Sequence, residues 1–265
     1  MEKNQFGKVS RLILQAERRG EKTVLTDVQF TAPYKIMEPF PRPKGGICVM
    51  QLAASAGIME GDRQEIRLLA GPGADLEVVS QAYDKIHQMR EGCARRRTEV
   101  QVSSGARLYL NPQPVIPFGD SAFESRTEAD LADESAVFWM SEIFSCGRLA
   151  MGERFAYRSF HSLTRIRRAG RLIYRDNTRY EPALMDMEGV GMYESYTHLL
   201  SIFASRPENP EEFLRQTRQL LDDSPKTEGG VTRLAHGDFA VRVFGQRAQV
   251  LEHISEGIKE IHQNS

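Results

Sequence analysis

Three carboxylates of this chain stand in local sequences where a carboxylate is unusual. Asp62 follows a glycine at a predicted turn, Glu142 interrupts the apolar segment 137–144, and Glu153 lies in a glycine-rich bend. A carboxylate on a mostly apolar strand must be neutralised, paired with a cation or directed into a water-filled cavity, because burying it alone is costly. Such groups can serve as acid and base in hydrolysis or as oxygen ligands for a divalent cation.

These carboxylates support three interpretations. In the first, Glu142 or Glu153 pairs with Arg148 or Arg154 and braces the fold. In the second, Asp62 and Glu142 are the acid and base of a β-rich glycosidase, which requires the two groups to lie ~5 to 10 Å apart in an open cleft. In the third, the carboxylates line a route along which a cation is transported.

The common motifs for nucleotides, nucleophiles and tightly bound metals are absent from the sequence. There is no glycine-rich loop closing on Lys-Ser/Thr, no GxGxxG and no GxSxG. No two of the six histidines have the spacing of a metal site, and Cys48, Cys93 and Cys146 are far apart. These absences argue against a nucleotide site, a hydrolytic triad and a closed site for a tightly bound metal.

The composition is that of a globular protein with a sizeable core. Of its 265 residues, 40% are hydrophobic and 27% are charged. Lys and Arg total 35 against 36 Asp and Glu, so no net field favours nucleic acid or an anionic membrane. No segment approaches the ~18 apolar residues of a membrane span, and the first five residues carry no apolar leader. These features, with the scattered thiols, predict a cytoplasmic protein without nucleic-acid or membrane partners.

The elements that must position the carboxylates are predicted to be mainly β-strands. Between residues 9 and 177, β-branched and aromatic residues alternate with polar ones over short segments. Three prolines in residues 111–118 confine that segment to a sheet edge or a loop. The predicted strands are residues 9–14, 23–30, 47–52, 98–102, 107–110, 122–131, 136–144, 165–167 and 172–174.

The pattern changes after about residue 200. A helix is predicted for residues 208–222, where proline and acids occupy the first turn, and a second for residues 247–262. Strands 231–234 and 239–244 lie between them. With no linker marking a boundary, we predict one domain over residues 1–265: a β body over about 1–200 and a small α/β C-terminal portion with two helices over about 201–265.

Several ordered segments are more specific than any single residue. They are Gly61-Asp62-Arg63, Ser80-Gln81, residues 147–155 (which contain Gly147-Arg148 and Gly152-Glu153-Arg154-Phe155), residues 174–177 and residues 193–198. In this order they resemble the UreD/UreH family of urease accessory proteins, and the last two resemble its UreH-type branch in particular. The match spans roughly residues 22 to 200. Gly61, Arg148, Gly152 and Arg154 fall on structural positions of the family's motifs.

The resemblance implies a non-catalytic protein with a mainly β, solenoid-like body of stacked sheets. It implies direct binding to UreF, contact with the GTPase UreG through UreF, and docking on the urease apoenzyme. It also implies that nickel reaches the urease active site through water-filled tunnels and is bound only transiently. By motif match, Asp62, Ser80, Glu142 and Glu153 lie along or beside that route. Isolated oxygen donors suit such a route, because clustered imidazoles or thiolates would retain nickel.

A purely structural adaptor is the alternative within the same family. In that case the β body recruits UreF and reshapes urease without touching metal. The two hypotheses differ in one expectation: neutralising a tunnel carboxylate blocks nickel delivery in the first and is harmless in the second.

Overall fold

The computed structural model describes residues 9–264. The first five residues, for which no leader was predicted, lie outside that range. The strands of the described part are β1 (Val9–Arg19), β2 (Lys22–Phe30), β3 (Tyr34–Ile36), β4 (Phe40–Pro41), β5 (Ile47–Ala53), β6 (Arg63–Ala70), β7 (Asp75–Ser80), β8 (Asp84–Ile86), β9 (Ala94–Val102), β10 (Arg107–Asn111), β11 (Val115–Pro117), β12 (Ala122–Leu131), β13 (Val137–Ser145), β14 (Ser159–Arg168), β15 (Arg171–Tyr180), β16 (His198–Ala204), β17 (Thr227–Arg233) and β18 (Phe239–Gly245). The helices are α1 (Pro210–Asp222) and α2 (Ala248–Asn264), with 3-10 turns at Pro43–Gly45 and Leu149–Met151.

The strands form two stacked sheets. The first has the order β15-β14-β12-β9-β6-β1-β2, and the second has the order β17-β18-β16-β13-β10-β7-β5-β3. From β5 to β14 the long strands alternate between the two sheets, so neighbours such as β6 and β9 or β7 and β10 pair in parallel. This winding is solenoid-like, and the mainly β fold predicted from the sequence is confirmed.

Two apolar clusters fill most of the space between the sheets. Because side chains alternate between the faces of a strand, one residue from each strand of the first sheet contributes to each inward row. One such row runs in register through Leu14, Leu68, Val100, Ala129 and Ile166, all of which are buried. A second cluster lies at the beginnings of β9, β12 and β14 and contains several aromatic residues: Phe123, Phe144, Phe160, Tyr180 and Tyr193.

The C-terminal portion extends the second sheet and covers one of its faces. Strands β17 and β18 pair beyond β16, while the two predicted helices are confirmed and pack Phe213 and Leu251 against Trp139. At the start of α1, the Asn209 side chain accepts a hydrogen bond from the Glu212 amide at 3.2 Å. None of the described helices is long and apolar enough to cross a membrane.

Several local expectations were wrong or incomplete. A lysine on an amphipathic helix normally faces solvent, but the Lys259 side chain in α2 is buried and its Nζ lies 2.6 Å from Glu77 Oε1. A carboxylate on the covered face of β7 needs cationic partners, and Lys259 of α2 and Arg42, whose Nε lies 2.9 Å from Glu77 Oε2, supply them. Strands β6, β7 and β16 were not predicted, and β14 and β15 are longer than the predicted hairpin. Charged residues at outward positions of β6, β14 and β15 weaken the strand pattern there.

Candidate functional site

A layer of polar side chains crosses the interior between the two apolar clusters. In parallel strands without register shifts, residues on the same face stack into rows that run across the sheet. Two successive inward rows of the first sheet are polar. One contains Gln64, Arg96, Ser125 and Ser162. The next contains Thr98, Thr127, Thr164 and Asp176 and continues into the apolar Ile66 and Leu12.

These rows border a cavity between the sheets. Its volume is about 60 Å³, and its lining includes Ser80, Asp84, Arg96, Thr127 and Glu142. Since a polar cavity needs only ~10–15 Å³ for one water, it has room for several. A smaller cavity of about 20 Å³ is lined by Glu142 and Asp176, among others. Glu142 and Met140 therefore line both cavities, and Glu142 is the charged residue of the two.

Glu142 has no cationic side chain within ion-pair distance in the part of the chain that the structure describes. Its Oε2 accepts a hydrogen bond from Ser162 Oγ at 3.2 Å. The Glu142 side chain is half-buried. Burial raises the pKa of this carboxyl group, and the hydrogen bond from Ser162 partly opposes that rise.

The two carboxylates on either side of Glu142 are each paired with an arginine. Arg96 Nη1 lies 2.7 Å from Asp84 Oδ2 at the larger cavity, and Arg242 Nη2 lies 2.6 Å from Asp176 Oδ2 at the smaller one. These four residues were not singled out in the sequence. Arg96 could have been identified from the sequence, because it shares the inward face of β9 with Thr98. Asp84, Asp176 and Arg242 could not, because their partners come from distant segments and leave no local sequence pattern.

Asp62 lies outside both cavities. Its Oδ2 accepts a hydrogen bond from the Met59 amide at 2.8 Å and so closes a turn in which Gly61 has φ 81°. Its charge still acts on the buried Tyr34 hydroxyl near Asp84; burial is the main reason that the pKa of Tyr34 is raised to about 12. The glycosidase hypothesis requires Asp62 and Glu142 to face each other in an open cleft, and the structure does not bring them together in one.

Glu153 lies away from the cavities and braces a loop. It accepts two hydrogen bonds from Arg148, one of them from Nε at 2.7 Å, and a third from the Gly119 amide at 2.9 Å. The hydrogen bonding to Arg148 lowers the pKa of Glu153. Gly152, with φ 75°, ends the 3-10 turn before it. Of the four sequence-predicted route residues, the structure brings together Ser80 and Glu142 alone.

Arg154 joins two loops. Its guanidinium lies 2.5 Å from Glu188 and donates to the carbonyl oxygens of Glu194 and Tyr196 at 2.8 and 3.0 Å. This motif arginine therefore holds the 3-10 turn region against residues 181–197. Its contacts are those of a structural residue.

Within residues 9–264, no three His, Cys, Asp or Glu side chains converge on a site that holds a metal ion. The interior instead offers one unpaired carboxylate among hydroxyl groups and room for water. Oxygen donors in such small number bind a divalent cation weakly. The arrangement suits passage of a cation better than storage.

Comparisons with known proteins cover nearly the whole chain. A family model described as UreD urease accessory protein matches residues 8–263. The urease accessory protein UreD of Acetivibrio thermocellus is 37% identical over 260 residues, covering 98% of this chain and 99% of that protein. The urease accessory protein UreH of Helicobacter pylori is 32% identical, covering 97% and 96%. UreD of Actinobacillus pleuropneumoniae is 28% identical, covering 95% and 96%.

Proposed function

This chain belongs to the UreD family of urease accessory proteins, whose members are maturation factors and not enzymes, and we propose that it guides Ni(II) through its interior toward the urease active site. The observation that supports this most directly is the position of Glu142. An unpaired carboxylate lines two cavities in a polar layer that lies between two apolar clusters of the β body.

The chemistry of that layer fits a mobile divalent cation. Nickel accepts oxygen ligands, and the carboxylate of Glu142, the hydroxyls of Ser80 and Thr127 and cavity water supply them. A cation beside Glu142 also offsets the cost of burying the ionised carboxylate. The carboxylate would thus be most stable in its charged form while nickel passes.

The proposal includes partners and location. In the proposed assembly the protein binds UreF directly, contacts the GTPase UreG through UreF, and docks on the urease apoenzyme in the cytoplasm. Nickel is cargo, and no cofactor is held tightly. The role of the family's members in urease maturation supports these partners.

The test is a Glu142→Gln variant in an activation assay with urease apoenzyme, UreF, UreG and Ni(II). Glutamine keeps the size of the side chain and accepts the Ser162 hydrogen bond, so folding and complex formation should persist. We expect loss of urease activation and of nickel incorporated into urease. Glu124→Gln is the matched control, because Glu124 is an exposed carboxylate paired with Arg95 on the outer face. Full activation by Glu142→Gln would instead favour the purely structural adaptor.

A further inference from the structure

The interior carboxylates are not equivalent. Asp84 and Asp176 are each held by an arginine at 2.7 and 2.6 Å, while Glu142 between them receives only a hydroxyl hydrogen bond. Asp84 lines the larger cavity, Asp176 lines the smaller one, and Glu142 lines both. Fixed guanidinium groups are unexpected along a route for a divalent cation, because like charges repel in a poorly screened interior.

Arg96 is held firmly in this position. Its Nη1 pairs with Asp84, its Nε donates to Gln64 Oε1 at 2.8 Å, and its guanidinium lies 5.6 Å from the centre of the Phe123 ring. Little of its side chain is exposed, whereas about half of the Arg242 side chain is. The first arginine is therefore a buried part of the cavity wall, and the second reaches Asp176 from a half-exposed position on β18.

We propose that Arg96 and Arg242 set the affinity of the interior for nickel. By neutralising Asp84 and Asp176, they leave Glu142 as the single carboxylate free to bind the cation. This inference rests on the proposed nickel route. A second free carboxylate beside Glu142 would add charge and oxygen donors to one site, and the affinity of oxygen-ligand sites for divalent cations rises with ligand charge. Nickel would then be retained instead of passed on. The two arginines are positioning residues that act through their carboxylate partners.

The experiment measures Ni(II) binding to the full chain alone, by equilibrium dialysis and metal analysis. Arg242→Gln is the first variant, because a half-exposed side chain is replaced with little risk to folding; Arg96→Gln is the second. We expect each to lower the dissociation constant for Ni(II) by about tenfold or more. Arg95→Gln is the matched control: Arg95 also pairs with a carboxylate, at 2.7 Å from Glu124, but on the outer face of β9. It should leave binding unchanged.

Removing the released carboxylate should reverse the gain. Arg242→Gln/Asp176→Asn and Arg242→Gln/Glu142→Gln should both return to the affinity of the parent protein. If folded Arg242→Gln and Arg96→Gln bind nickel no more tightly than the parent, the inference is wrong. The nickel route has its own test, since urease activation by Glu142→Gln is measured separately from nickel retained by the isolated chain.

Discussion

The buried ion pair between Arg168 and Asp238 should contribute strongly to the attachment of the C-terminal portion to the β body. Arg168 lies at the end of β14 in the first sheet, and Asp238 lies in the turn between β17 and β18 of the second. Two hydrogen bonds of 3.0 and 2.6 Å join them, and their side chains are 4% and 0% exposed. Asp238 also accepts a hydrogen bond from the Arg206 amide at 3.1 Å.

The perturbation is Asp238→Asn, which keeps the shape of the side chain and removes its charge. It leaves the Arg168 guanidinium buried, with Glu134 as its remaining acidic neighbour at 3.6 Å, and that carboxylate is largely exposed. Removing one partner of a buried pair costs about 3–5 kcal/mol. In a protein of this size, ~1 kcal/mol shifts the melting temperature by about 2–4 °C, so a fall of roughly 10 °C is expected.

Thermal unfolding followed by circular dichroism and calorimetry measures this shift. Arg233→Gln is the control, because Arg233 pairs with Glu211 at 3.1 Å on the surface, where such pairs contribute little. A fall of less than about 2 °C for Asp238→Asn would refute the argument that the pair is buried and uncompensated once broken. The same scans test the predicted single domain, since separate transitions for the two portions would contradict it.

Three further predictions concern buried groups. Glu142→Gln should be more stable than the parent protein at neutral pH. Because burial raises the pKa of Glu142, the parent loses stability as the pH rises above the ordinary carboxyl pKa of 4.5. The difference between the denaturant midpoints of the two proteins should therefore vanish below pH 4.5. Cys146 should react with iodoacetamide far more slowly than Cys93 in the folded protein, because it is fully buried and its pKa is raised to about 11; equal rates by mass spectrometry would contradict this. Trp139, the single tryptophan, should resist quenching by acrylamide until the protein unfolds, and easy quenching would show that the helices do not cover it.

How far the sequence predicts this structure differs between elements. The C-terminal helices were predictable because proline and acids at residues 210–212 and the spacing of apolar residues in α2 are local signals. The order of strands in the sheets was not, because β9 pairs with β6 and β12, which lie well before and after it in the chain. That winding depends on contacts between segments that carry no local pairing signal.

The site divides in the same way. Glu142 was found from its own strand, since a carboxylate among apolar residues is visible locally. Asp84 and Asp176 were not, because their significance lies in arginines from β9 and β18. Glu153 resembled Glu142 in the sequence, yet Arg148 is only five residues away and holds it at a loop. A local pattern identifies an unusual carboxylate, but only the fold determines its partner.

The polar layer is itself an argument for transport over a purely structural role. Apolar rows lie on both sides of it, and hydrophobic residues of similar size in place of Thr98, Thr127 and Thr164 would add to the buried core. An adaptor gains nothing from the uncompensated Glu142, whose replacement by glutamine should stabilise the fold. If the same substitution also abolishes nickel delivery, the Glu142 carboxylate lowers the stability of the fold but is required for function. That combination is expected of a residue that is retained for activity. If it stabilises the protein and leaves delivery intact, the layer is not the route.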